Sequence, residues 1–213
     1  MTSPEPRPYH HGDLRHVLID EAVAAIERGG PGSVSLRELA RRAGVSHAAP
    51  AHHFGDKTGL LTAIATEGFG LLADALADAF TRTGSFLEVG VAYMGFAVRH
   101  RAHFDVMFRP ELLRGDDPAL REARARSARA LYGPVETVPG GAGPAALQAG
   151  VAGWALVHGL ATLYLEGNLP PQLGDDPQQI AREIAVHLYP SRETPAPPPT
   201  RRRAPASLRP HRD

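Results

Sequence analysis

Between Ser35 and Lys57 this chain gathers side chains that donate to phosphate oxygens and base edges: the hydroxyls of Ser35 and Ser46, the guanidiniums of Arg37, Arg41 and Arg42, the imidazoles of His47, His52 and His53, and one ammonium, Lys57. Ala48, Ala49 and Pro50 lie among them, small enough to let a backbone approach base edges closely. A second chemistry is open to His100 and His103, one helical turn apart, which could share a metal with oxygen from Asp105 or Glu111. That reading lacks an H-E-x-x-H pattern and a fixed third ligand, and His47, His52 and His53 do not share a helical face. The chain also has no G-x-S-x-G elbow, P-loop or G-x-G-x-x-G. An enzyme is therefore not expected, and neither a cofactor nor a resident metal.

The elements that must position the first group can be read from the same stretch. Ser35 and Glu38 have the S-x-x-E spacing of a capping box, which predicts a helix start. Leu36, Leu39, Ala40 and Ala43 then form an apolar stripe, with Arg37, Arg41 and Arg42 off it. Gly44 supplies a stop, and Ser46 is placed to cap a second helix running from about His47 to Phe54. In that frame Pro50 falls near the fourth helical position, so an irregular first turn is expected. Gly55 and Asp56 offer a turn and a fresh cap, leaving Lys57 at a helix N-terminus, where amides and dipole favour phosphate. Two short helices, a glycine turn and a third helix are the layout of a helix-turn-helix, whose partner is double-stranded DNA.

Beyond Lys57 the pattern is helical throughout. A long amphipathic helix is predicted from Thr58 to about Thr81, followed by helices at Phe86–His100, Ala102–Arg109, Pro118–Thr137, Pro144–Glu166 and Pro177–Leu188. The expected fold is all-α, divided into a flexible N-terminus over 1–9, a DNA-binding head over 10–57, a helical body over 58–190 and a Pro- and Arg-rich tail over 191–213 with too few apolar residues to fold. His100, His103, Phe104, Met107 and Phe108 cluster aromatic, thioether and imidazole groups on one short helix, and Tyr93, Phe96 and Trp154 are similar in kind. They are candidate pocket residues, equally explained as core. His158, four residues after Trp154, shares its face and is either a satisfied core histidine or a ligand contact. Gly150, Gly153 and Gly159 each cost about 1 kcal/mol against Ala inside a helix, which close approach of another helix would explain.

Composition agrees without deciding. The chain has 213 residues, is 43% hydrophobic and contains no cysteine, as expected in a reducing cytoplasm. Its opening residues are polar and Pro-rich, so no leader is expected, and its apolar runs are broken by Gly, Tyr or His, so no membrane span is expected either. Formal net charge is zero, but unevenly spread: residues 191–213 hold six Arg against Glu193 and Asp213, while residues 1–60 balance seven against seven. Attraction to DNA must then come from local placement of Arg37, Arg41, Arg42 and Lys57, and from the tail, rather than from a globally basic domain.

The segments GDLRHVLIDEAVAAIERGG, VSLRELARRAGVSHAAP and HHFGDKTGLL, from Gly12 to Leu61, resemble the DNA-binding domain of the tetracycline-repressor (TetR) family of bacterial transcriptional regulators. The resemblance implies a homodimer that binds operator DNA and is released by a small-molecule effector held in the helical body, with repression as the default. It places the dimer face on the Pro144–Glu166 helix, with Gly150, Gly153, Leu156 and Leu160 as candidate contacts. Trp154, His158 and Gly159 further resemble the Trp-His-Gly subgroup of the family. In one departure, Ala51 stands where members usually carry a Tyr that touches the DNA backbone, which keeps open a helical interaction protein with a degenerate head.

Overall fold

The structure, a computed structural model, describes residues 11–137, 143 and 145–187. The expected N-terminal arm, the Pro/Arg-rich tail, most of the loop from Pro139 to Pro144 and the last residues of the final helix lie outside the described residues.

Among the described residues the chain is all-α. The first unit comprises α1 (His11–Gly29), a 3-10 turn (Pro31–Ser33), α2 (Leu36–Arg42) and α3 (Ala49–Phe54). One apolar face from each helix meets in a common core: Leu18, Ile19, Ala22 and Ile26 of α1, Leu39 and Ala40 of α2, and Phe54 of α3. Gly44 stops α2 with φ 67°, and the Val45 N–H reaches back to the Ala40 carbonyl at 3.0 Å, so the stop is the left-handed turn that its glycine implies.

The two helix starts differ from expectation. Ser35 has the extended cap conformation, but its side chain accepts no cap hydrogen bond. The box does not close because Glu38 turns outward to Arg41 and Arg42 instead. Ser46 does not cap α3 either: the helix begins at Ala49 after a turn in which the Ala49 N–H donates to the Ser46 carbonyl at 3.0 Å. Starting there puts Pro50 in the first turn, where a missing N–H breaks no helical bond, so no irregular turn is needed.

The body begins with α4 (Lys57–Thr83), capped by Asp56, whose carboxylate accepts from the Gly59 N–H at 2.8 Å. Then follow α5 (Phe86–Arg99), α6 (Arg101–Met107), α7 (Pro118–Tyr132), α8 (Ala145–Leu165) and α9 (Pro177–Ala185). Asp117 and Asp176 cap α7 and α9 through the amides of Leu120 and Gln178, and Pro118 and Pro177 occupy the tolerated first turn. α4 is the spine: it packs against α5, α6 and α7, while α5 backs onto α8 and α9. Gly68 is where α6 crosses it, since a Cβ there would lie 3.0 Å from the Cβ of His103 and 2.6 Å from the Met107 sulfur. Arg182 binds Glu88 with two 2.9 Å hydrogen bonds, tying α9 to α5, and Arg126 pairs with Asp74 between α7 and α4.

α8 differs most from its expected orientation. Gly150, Gly153 and Leu160, read as contacts to a second subunit, face into their own. A Cβ on Gly150 would meet the Tyr132 ring at 2.9 Å, so the close approach that it permits is made by α7. Leu156 is half-buried beside Gly153, Leu87 and Val157. The outward face carries Leu147, Val151 and Leu163, exposed by 65%, 43% and 43%. By length and hydropathy α4 and α8 are both apolar enough to cross a bilayer; 56% of the most apolar stretch of α4 is buried inside the subunit, against 28% for that of α8. The first is a core helix, and the second leaves an apolar face uncovered.

Candidate functional site

Which polar side chains can reach a nucleic acid follows from these helix starts. Ser35, Arg37, Arg41, Ser46, His47, Ala48 and His52 are exposed, and Ala49 is half-buried. Ser35, Arg37, Glu38, Arg41 and His47 line one shallow concavity, which brings the N-terminal end of α2 and the turn before α3 together. Ser35, with its hydroxyl free of capping duty, adds a donor there.

Four candidates are placed otherwise. Pro50 is buried and cannot touch a groove. Arg42 lies between Glu38 at 3.0 Å and Glu21 of α1 at 3.8 Å, clamping α2 to α1. His53 faces a cleft at the base of the head with Arg15, Gly59 and Arg114. Lys57 donates from Nζ to the Gly32 carbonyl at 2.9 Å, fastening α4 to the turn after α1. Arg41 is also engaged, at 2.6 and 2.8 Å to Glu38, whose carboxyl is drawn down to about 2 by the hydrogen bonds from Arg41 and then Arg42. Of the arginines on α2, Arg37 alone pairs with no carboxylate among the described residues.

Head and body meet through the segment after α6. Arg114 reaches Asp56, the α4 cap, at 2.9 Å, and its backbone N–H donates to the Thr62 hydroxyl of α4 at 3.0 Å. The guanidinium carbon sits 3.2 Å from where a Cβ on Gly59 would stand, and a Cβ there would also overlap the Phe54 carbonyl. Arg15 of α1 stacks on the Phe54 ring at 5.5 Å.

A cavity of about 350 Å³ opens in the body. Tyr93, Met107, Phe108 and Trp154, all expected pocket residues, line it. The opposite wall comes from α4 and α7, namely Phe69, Leu72, Arg124, Ser127, Ala128, Leu131 and Tyr132, with Pro110 at the end of α6. Sequence reading missed this wall, although the spacing of Arg124, Ser127, Ala128 and Leu131 at i, i+3, i+4 and i+7 puts them on one helical face. Phe104 and His158 sit just behind. The His158 ring lies 4.6 Å from Phe108, 5.2 Å from Phe104 and 5.7 Å from Trp154. Trp154 donates its indole N–H to the Tyr93 oxygen at 3.3 Å, and the same hydroxyl is 2.8 Å from His158 Nδ1. Burial raises the Tyr93 phenol above its ordinary value and lowers the imidazole of His158 below its own, so the pair is neutral at pH 7. Tyr93 then donates to Nδ1, and the His158 proton sits on Nε2.

Phe96, His100 and His103 are not on the cavity wall. His100 stacks on Phe96 at 5.1 Å, and His103 meets Glu67 of α4 at 3.3 Å. Although the two imidazoles are 5.8 Å apart, among the described residues no group of three His, Asp or Glu side chains is arranged to hold a metal.

A helix-turn-helix head joined by a spine helix to a bundle with a half-enclosed cavity defines a DNA-binding regulator of the one-component kind. Residues 18–64 match the family described as bacterial regulatory proteins, tetR family, and residues 86–188 match the tetracyclin repressor-like C-terminal domain. The chain belongs to the TetR family. It is 33% identical to a protein of unknown function from Rhodococcus sp. RHA1, over 87% of this chain and 98% of that one, with a TM-score of 0.72. The HTH-type transcriptional regulator BetI of Serratia proteamaculans (strain 568) is 45% identical over 49 residues, which are 23% of this chain and 25% of BetI. The match thus spans a quarter of that relative. AibR, in its crystal structure with isovaleryl coenzyme A and operator DNA, shares the fold at 18% identity and a TM-score of 0.56, over 83% of this chain and 98% of AibR.

Proposed function

We propose that this protein is a cytoplasmic, homodimeric transcriptional repressor whose hold on operator DNA is released by a small molecule in the 350 Å³ cavity. One observation carries the reading: cavity and reading head share α4 and the segment after α6. Phe69, Leu72, Met107, Phe108 and Pro110 line the cavity, and four residues past Pro110, Arg114 grips the cap of α4 directly below α3. A ligand that alters the cavity wall therefore acts on the element that orients the head. What it must supply is differential affinity for the two head orientations, commonly about 1–3 kcal/mol of coupling. AibR, a neighbour in fold, holds an acyl coenzyme A and DNA together in one crystal, which supports the same division of labour. The head would comprise residues 10–57 and the body residues 58–190. Trp154, His158 and Gly159 favour the Trp-His-Gly subgroup, two of the three standing around the cavity floor.

In this reading Ser35, Arg37, Ser46, His47, Ala48, Ala49 and His52 meet the DNA, with α3 in the major groove. Gel-shift and footprinting on DNA flanking the protein's own coding region test it. Two protected half-sites about 34–36 Å apart, or a multiple of that, are expected for a two-fold dimer. Failure of a random-site selection to enrich any sequence would instead favour an interaction protein whose head, with Ala51, no longer reads DNA. Stoichiometric metal in the purified chain without DNA binding would overturn the regulator.

A further inference from the structure

Among the described residues Arg124 is the one charged residue lining the cavity. Its guanidinium sits 5.4 Å from the centre of the Phe69 ring, a contact that takes its flat charge and leaves its N–H donors unspent. Among the described residues no carboxylate pairs with it, whereas the neighbouring Arg126 is held by Asp74. The rest of the wall is aromatic or aliphatic apart from hydroxyls and the indole N–H. Of those, Ser127 donates back to the Arg124 carbonyl and Trp154 is bonded to Tyr93. A ligand with a cationic group would place like charges together in a half-enclosed apolar site, and a neutral one would leave the guanidinium without a counter-charge. A carboxylate meets its geometry in a two-point hydrogen bond strengthened by the low local dielectric. Size narrows the class again. A cavity of about 350 Å³ lies at the lower end of the range that holds small ligands, roughly 300–1,000 Å³, which favours a compact acid over a coenzyme conjugate.

We propose, resting on the ligand-responsive reading of this cavity, that the effector is a small amphipathic monocarboxylate, aromatic or short-chain aliphatic. Its anionic end sits on Arg124 and its apolar body between Phe69, Met107, Phe108 and Trp154. The acid enters with its carboxylate towards α7, and its body reaches the Trp154–Tyr93 pair at the other end.

Trp154 is the only tryptophan of the chain and lines the cavity, so quenching of its fluorescence reports occupancy in the full-length protein without DNA. The probes are hydrocinnamate, hydrocinnamyl alcohol, the corresponding primary amine, and the coenzyme A thioester of the same acid. The acid is expected to bind at least about tenfold tighter than the alcohol, with the amine weakest. R124Q should bring acid and alcohol level while R124K keeps part of the preference. R129Q, the same loss of charge at an exposed α7 position outside the cavity lining, should behave as the parent. Equal binding of acid and alcohol, no quenching by the acid up to millimolar concentration, an unchanged preference in R124Q, or tighter binding of the thioester would each overturn the proposal. A gel-shift with the same probes separates this from the regulatory reading. Arg124-dependent acid binding that leaves DNA bound keeps the cavity chemistry and rejects the regulator, and release by the alcohol or thioester alone does the reverse.

Discussion

Glu38 sits where a DNA backbone would have to compete with it. Its carboxylate holds Arg41 through two nitrogens and Arg42 through one, in the shallow concavity that Ser35, Arg37 and His47 complete. These side chains are 37–68% exposed, so water and salt screen the pairs and they add little to stability. Their effect is on availability, because each arginine must leave Glu38 before it can meet a phosphate. E38Q removes one negative charge from a head that otherwise balances and frees Arg41, while Arg42 keeps its longer pair with Glu21. Operator affinity is expected to rise several-fold at low salt, and the plot of log affinity against log salt to steepen by about one unit per phosphate gained. An unchanged slope in an anisotropy titration would mean that neither arginine reaches the backbone. A second residue-scale effect concerns His158 and His100, whose imidazoles burial holds below their ordinary value. The unfolded chain, with imidazoles near pKa 6.5, then takes up protons first, so stability is full above about pH 6.5 and falls as the pH drops below it. Glu67 and Glu88, held below their usual values by His103 and Arg182, lose their share only below about pH 4.5. Thermal melts between pH 7 and pH 5 should show a falling midpoint, and H158Q should flatten much of that slope. A slope unaltered in H158Q assigns it elsewhere.

At the scale of elements, the segment after α6 is the joint between cavity and head. Pro110 lies on the cavity wall, Leu113 is buried, and Arg114 binds Asp56 and Thr62 at the start of α4. R114A removes the guanidinium and keeps the backbone bond to Thr62, so it should leave Trp154 quenching by an effector intact. The effector's power to release DNA should drop by about fivefold or more, in keeping with a coupling of a kcal/mol or so. Equal release in R114A and parent would place the coupling in the spine helix alone. This joint was not readable in the sequence, and the far wall of the cavity was so only in part, as the shared face of Arg124, Ser127, Ala128 and Leu131. Arg114 follows a break, where periodicity is silent, and its partners are more than fifty residues away along the chain. The helices themselves were readable, to within a few residues at each end, because Gly44, Gly55 and Gly84 mark stops and Asp56, Asp117 and Asp176 mark starts. Where an alternative partner lay close by, local signals misled. Ser35 with Glu38 has the spacing of a capping box, but two arginines within one turn outbid the single amide for the carboxylate. Ser46 has the type of a cap, but Pro50 fits best in a first turn, and that fixes the start of α3 at Ala49. The inward face of α8 was unreadable for another reason: the helix is apolar all round, so spacing could not say which side the subunit keeps.

For the molecule as a whole, that uncovered side of α8 is the argument for a second copy. Leu147, Val151 and Leu163 stand exposed, Ala152 and Ala155 lie between them, and among the described residues nothing stands within 4 Å of where a Cβ on Gly159 would be. Small residues flanked by larger apolar ones let two helices approach closely. A two-fold axis through this face would bring each residue near its own counterpart, so one substitution acts twice. V151E then buries two like charges facing each other, each without a partner. The variant should run as a monomer at micromolar concentration in sedimentation while keeping its helical circular dichroism and its Trp154 fluorescence, because Val151 is no part of the subunit's core. Its operator affinity should fall by about a hundredfold or more, since a lone head loses the gain of two linked contacts. L163E, twelve residues on and about 120° round the helix at the far edge of the exposed arc, should do likewise. G150A, whose Cβ would press on Tyr132, should instead lower the melting temperature without dissociating the dimer. If V151E and L163E remain dimeric and G150A comes apart, the face that joins the subunits is the one turned inward here, and α8 would have to rotate on assembly.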